Sequence, residues 1–125
     1  MLSWIKQASA GLIGQRAEKL ACDYLRSQGY QLVTQNYRCR SGEIDLIMRD
    51  EQTLVFVEVK FRSKQAHGQP VEFFHSSKRR KFESAMSHYF QAQGLNPEML
   101  AHRIDVVGIE LNHHGEPQYN WLQNV

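Results

Sequence analysis

From Leu54 to Phe61 the chain reads LVFVEVKF, a run dense in β-branched and aromatic residues that suits a central β-strand, yet it carries two charges, Glu58 and Lys60. Alternation sets Val55, Val57 and Val59 on one face and Phe56, Glu58 and Lys60 on the other. An ionised side chain inside an otherwise apolar strand is costly unless something answers it. Three arrangements answer it: an edge strand with its polar face in water, a Glu58–Lys60 ion pair, or a functional site.

The neighbouring segments favour a sheet with acids brought together. GEIDLIMRD, from Gly42 to Asp50, alternates as a second strand with Ile44, Leu46 and Met48 on one face and Glu43, Asp45 and Ile47 on the other. The polar tetrad Asp50 to Thr53 is a turn, so the two strands form a hairpin with Asp45 and Glu58 on adjacent strands. Upstream, Ile13, Ala17, Leu20, Ala21, Tyr24 and Leu25 recur at helical spacing, predicting a helix from Gly11 to Gln28 stopped by Gly29. Tyr30 to Thr34 reads as a short strand and Gln35 to Ser41 as an irregular connection.

Downstream, Arg62 to His75 reads as a loop around Gly68 and Pro70. Ser76 or Ser77 is then expected to cap a second helix that buries Phe82, Ala85, Met86, Tyr89 and Phe90 and ends at Gly94, Asn96 and Pro97. Strands from Arg103 to Leu111 and from Pro117 to Leu122 follow, the latter after a His113-His114-Gly115 turn. This order predicts an α/β three-layer sandwich, a mixed central sheet flanked by helices.

The 125 residues suffice for one domain over 1–125, with room for residues 1–10 to be flexible. Composition is near the globular average, and no apolar run approaches the 20 or so residues of a membrane span. The N-terminus lacks a basic start and Lys6 interrupts its apolar stretch, so export is not expected. With Cys22 and Cys39 read as reduced thiols, the expected location is the cytoplasm.

Net charge is only +2, but its distribution is uneven. Lys60 to Lys81 holds seven basic residues against the single acid Glu72, a local charge of +6, leaving −4 for the rest. Such a cluster attracts a phosphate backbone, although a KRRK run can equally be a solvated helix face. Arg62, Lys64, Lys78, Arg79, Arg80 and Lys81 are the candidate nucleic-acid contacts. Two carboxylates at the end of a sheet can bind magnesium, which prefers oxygen ligands and keeps several waters, and a nearby ammonium can orient an attacking water. Asp45, Glu58 and Lys60 are the parts of a metal-dependent phosphodiesterase. Asp105 beside Arg103 reads as an internal ion pair, the six histidines show no ligand spacing, and Phe73, Phe74 and Phe82 read as core.

GQRAEKLA (Gly14 to Ala21), NYRCRSGEIDLI (Asn36 to Ile47), LVFVEVKFR (Leu54 to Arg62), Lys78 at the head of a helix and RIDVVGI (Arg103 to Ile109) together resemble the uncharacterised bacterial YraN family. That family is assigned to the restriction-endonuclease-like superfamily with the PD-(D/E)xK signature and is similar to archaeal Holliday-junction resolvases. The resemblance implies Asp45 as the strand carboxylate, Glu58 and Lys60 as the ExK pair, Glu18 as the acid on the first helix, and Glu43 as an additional acid of the GEID motif. It implies magnesium or manganese held by Asp45, Glu58 and the Val59 carbonyl, DNA (branched DNA in particular) as substrate, and a homodimer. Ala17 stands where relatives commonly have Gly, and Ile44 in the slot of the nominal proline; neither removes a ligand.

Overall fold

The structure, a computed structural model, describes residues 10–62 and 74–125. Residues 63–73 of the loop expected from Arg62 to His75, with Lys64 and Phe73, therefore lie outside the described residues. The elements run α1 (Ala10–Ser27), β1 (Gln31–Cys39), β2 (Gly42–Asp50), β3 (Thr53–Phe61), α2 (Ser76–Gln93), a short 3-10 turn (Pro97–Met99), β4 (His102–Leu111) and β5 (Pro117–Leu122).

The five strands form one sheet in sequence order. All neighbours are antiparallel except β3 and β4, which run parallel on either side of the α2 connection. The fold is thus a mixed sheet flanked by two helices, the three-layer α/β sandwich expected. Ala17, Ala21, Cys22 and Leu25 of α1 pack on Leu46, Met48, Val55, Val57, Val107 and Ile109. On the other face Phe82, Ala85, Met86, Tyr89 and Phe90 of α2 cover Ile44, Ile47, Phe56, Ile104 and Val106. Ala17, the departure from the family pattern, is simply buried helix surface. Cys22 and Cys39 are free and pack in different layers. No helix among the described residues is long and apolar enough to cross a membrane.

Both helix stops are where glycine requires them. Gly29 and Gly94 take φ of 96° and 66°, left-handed conformations that only glycine adopts freely, and Tyr30 N–H and Leu95 N–H bond back to the Leu25 and Phe90 carbonyls. The start of α2 differs from expectation. Its N-cap is His75, with no side-chain cap bond, rather than Ser76 or Ser77.

Two further differences matter for the site. The segment Gln35 to Cys39, expected as irregular, is the second half of β1, paired with β2 through Gln35↔Leu46, Tyr37↔Ile44 and Cys39↔Gly42. Its register slips between Leu32 and Thr34 and Asn36 takes φ 53°, so β1 is a bent edge strand whose polar residues face water. In β2 the alternation does not run through. Leu46 and Met48 face α1, but Ile44 packs with Ile47 on the α2 side. The switch falls at Asp45, where the β2–β3 pairing has already ended at Leu46↔Val57.

The β1–β2 turn is held against α2 by a backbone approach. A Cβ on Gly42 would lie 2.2 Å from the Lys81 carbonyl oxygen, a distance no real contact allows. Gly42→Ala is expected to push the turn off the helix and cost about 2 kcal/mol in urea denaturation, as overpacking does.

Candidate functional site

The site forms where β2 and β3 splay apart. Beyond the Leu46↔Val57 pair the strands no longer exchange backbone bonds, and the Asp45 carboxylate fills the gap, Oδ2 accepting the Val59 N–H at 2.8 Å. Glu58 lies beside it, its side chain 11% exposed, paired through Oε1 with Lys78 Nζ at 2.8 Å. The hairpin geometry thus sets the two expected carboxylates beside each other, with two more acids near enough to act on them electrostatically. Glu43 is next but one to Asp45 in β2, and Glu18 reaches in from α1.

The electrostatics report this crowding. Burial, followed by the negative charge of Glu58, pushes the Asp45 carboxyl up to about 8, with Glu18 and Glu43 adding to the rise and the Val59 N–H opposing it. Burial also raises Glu58, opposed by Lys78 and Lys60, and reinforced by Glu43. Glu18 is raised by burial and by Glu43, against an Asn36 hydrogen bond. Asn36 makes that bond from its left-handed conformation, which asparagine tolerates better than most residues. One Glu18 oxygen, Oε1, is buried without a hydrogen-bond partner. Lys60 shares the face of Glu58 and is half-buried.

A cleft of about 490 Å³ opens beside Glu58. Arg38 at the end of β1 and Arg40 and Ser41 of the β1–β2 turn form one wall, Lys78 and Lys81 of α2 the other, and its acids are Glu58 and Glu43, the latter accepting from Arg38 Nε at 3.2 Å. A second hollow, of about 500 Å³, adjoins Glu18. Of the expected nucleic-acid contacts, Lys78 and Lys81 line the cleft, with Lys78 engaged by Glu58. Arg80 is exposed on α2. Arg79 turns to the chain end, donating to the Val125 carbonyl at 3.0 Å and lying 5.6 Å over the Phe74 ring. Arg62, expected on the surface, is instead buried at 7% exposure, its N–H bonded to the Ile109 carbonyl. Arg38 and Arg40 were not among the expected contacts. Their signal is the pair of arginines flanking Cys39 just ahead of the Ser41-Gly42 turn, well upstream of the Lys60 to Lys81 cluster.

Do these residues suit a divalent cation? Among the described residues no three His, Cys, Asp or Glu side chains converge to cage a metal ion. What they offer is a two-carboxylate set, Asp45 and Glu58, with the Val59 backbone between their strands. That is the donor chemistry of magnesium or manganese, which bind through one or two carboxylates and complete their shell with water and substrate phosphate. The raised Asp45 carboxyl and the bare Glu18 Oε1 mark negative potential of the sign a cation answers, beside a Glu58 that Lys78 already engages.

Asp105, by contrast, is saturated. Arg103 meets it at 3.0 and 3.3 Å, the Trp121 indole N–H donates at 2.9 Å and the Asn124 N–H at 3.0 Å, so the expected internal ion pair is what the structure contains.

The model of the uncharacterised protein family UPF0102 matches residues 17–109 of the chain. A UPF0102 protein of Aeromonas hydrophila is 46% identical over 116 residues, 93% of this chain and 85% of that one. A UPF0102 protein of Nitrosococcus oceani is 40% identical over 111 residues, with 89% and 88% covered. One of Colwellia psychrerythraea is 39% identical over 119 residues, with 95% and 92% covered. The matched span runs from the buried part of α1 to the end of β4 and takes in Glu18, Glu43, Asp45, Glu58, Lys60 and the whole cationic cleft, and the chain accordingly belongs to the uncharacterised protein family UPF0102.

Proposed function

We propose that this chain is a nucleic-acid-binding protein of restriction-endonuclease-like fold that hydrolyses phosphodiester bonds in DNA with the help of a divalent cation. The observation that carries the reading is the meeting of Asp45 and Glu58 at the β2–β3 splay, beside a cleft lined by Arg38, Arg40, Lys78 and Lys81. Acids that repel one another beside a row of cations are poor design for stability and good design for handling phosphate.

Asp45, Glu58 and the Val59 carbonyl would hold magnesium or manganese, which when bound supplies Lewis-acid polarisation of the scissile phosphate and a more acidic water. Lys60, on the face of Glu58, orients the attacking water and stabilises charge on the phosphorane-like oxygens. Glu18 and Glu43 flank the pair and add negative potential. Lys81, Arg38 and Arg40 grip the backbone on either side, with Arg80 extending the positive surface, so binding weakens steeply with salt. Branched DNA as the preferred substrate and a symmetric homodimer rest on the resemblance to archaeal resolvases, and action in the cytoplasm on the reading of Cys22 and Cys39 as reduced thiols.

The second reading is a catalytically silent nucleic-acid-binding module, favoured by the lack of three converging ligand side chains among the described residues. One assay separates the two. Labelled four-way junctions, duplexes and single strands are incubated with magnesium, manganese or EDTA. Cleavage by the wild type that falls at least about 100-fold in Asp45→Ala and Lys60→Ala is the expected result. Salt-sensitive binding without cleavage of any substrate establishes the silent module, and absence of salt-sensitive binding sinks both.

A further inference from the structure

Among the described residues two buried acids have basic partners, and they are treated very differently. Asp105 is fully buried and meets Arg103, itself only 18% exposed, together with two further N–H donors. Such a pair is fixed at both ends. Glu58 is nearly as enclosed, 11% exposed, but its partner Lys78 is 42% exposed and reaches it with a single ammonium at the end of a flexible four-carbon stem.

Lys78 also stands in an uncomfortable place. It occupies the first turn of α2, which has no acid and no side-chain cap, and there the helix macrodipole disfavours a cation. Arg79, Arg80 and Lys81 follow it directly, and Lys81, Arg38 and Arg40 line the same cleft. Among the described residues, the ion pair with Glu58 is the contact that holds the ammonium where it is. Asp45, on the other side of the site, is held by a backbone N–H instead.

We infer that Lys78 is the resident counter-ion of the site: it occupies Glu58 until a divalent cation takes its place, and then turns to a phosphate in the cleft. The inference rests on the two-carboxylate reading above. It makes metal loading and substrate grip reciprocal. While Lys78 neutralises Glu58 the cleft offers one fewer cation to a phosphate backbone; once Glu58 is taken, Lys78 is repelled by its basic neighbours and is free to join Arg38, Arg40 and Lys81. A fixed structural pair would do neither.

The test uses the full chain and calcium, which takes oxygen ligands without the need for turnover. Calorimetric titration at pH 9 is run on the wild type, Lys78→Met and Lys78→Gln. Loss of a competing charge at this distance is expected to tighten calcium binding about fivefold to tenfold in both variants. Binding of a short fluorescent duplex is then followed against salt. Removing Lys78 should lower the log–log salt slope by about one unit when calcium is present and leave it nearly unchanged in EDTA. Calcium affinity unchanged or weakened in the variants, while the wild type still binds, overturns the inference and leaves the two-carboxylate site standing. An equal fall in slope with and without calcium also overturns it. A wild type that binds no calcium removes the metal reading itself, and this inference with it.

Discussion

Asp45→Asn is expected to make the protein more stable at pH 8 while abolishing its response to divalent cations. In the folded chain the Asp45 carboxyl is pushed up to about 8 by burial and by Glu58, whereas in the unfolded chain it titrates near the ordinary aspartate value of about 3.9. Between those values the folded state keeps a proton that the unfolded state gives up. Stability therefore falls as pH rises from about 4 to about 8, which is opposite in sign to a salt-bridged aspartate. Asparagine has no charge to desolvate, and its amide oxygen can still accept the Val59 N–H.

A fully unscreened shift of this size would be worth about 5 kcal/mol, but Asp45 is part-exposed and water screens it, so a gain of about 2 kcal/mol at pH 8 is the expectation. The gain should shrink toward zero near pH 4. Denaturant unfolding of both proteins across that range measures it, and a variant less stable than the wild type at pH 8 refutes it. Magnesium supplies the second arm. Added at 100 times its dissociation constant it should stabilise the wild type by about 2.7 kcal/mol and leave Asp45→Asn unmoved. A residue whose removal stabilises the fold is retained for something other than folding.

How far the sequence foretold all this differs between fold and site. The helices and the four strands with strong apolar patterns were legible because each pattern agrees with its own burial: Ala17, Ala21 and Leu25 on one stripe, Val55 and Val57 on one face, Phe82 to Phe90 on another. The second half of β1 was not. QNYRC has the polar character of a loop, and only pairing with β2, a contact distant from any local signal, makes it a strand. The face switch at Asp45 was hidden for a related reason. Strict alternation sent Ile44 to the side of Leu46, but the end of β2–β3 pairing lets the strand turn over at that point.

The candidate site followed the same division. Asp45, Glu58 and Lys60 were legible because charge in an apolar strand is conspicuous, and Glu18 through the family resemblance. Arg38 and Arg40 were missed because their position depends on Gly42 bringing the turn against Lys81. The engagement of Lys78 by Glu58 and the burial of Arg62 are likewise tertiary facts. Counting basic residues along the chain located a positive region and could not say which of them face a ligand.

Asp105→Ala is expected to cost about 3–5 kcal/mol, the largest loss of any substitution considered, because it strands Arg103 in a buried setting with no anion. The loss extends beyond the ion pair. The Trp121 indole N–H and the Asn124 backbone N–H would also lose their acceptor, and Tyr30, hydrogen-bonded to Arg103 and packed edge-on to Trp121 at 5.2 Å, would lose the frame that ties α1 to β5. With total stabilities of 5–15 kcal/mol usual for a domain, that change alone can leave much of the population unfolded at 37 °C. Asp105→Asn keeps one carbonyl acceptor and should lose about half as much; thermal melts of the two variants order them, and an alanine variant within about 1 kcal/mol of wild type would falsify the account. The contrast with Asp45 is the physical criterion separating the two kinds of buried acid. Asp105 is met by Arg103 and two further N–H donors and stabilises the fold, whereas Asp45 and Glu58 are raised above their ordinary range by burial and neighbouring acids, at a cost in stability that an incoming positive charge would relieve.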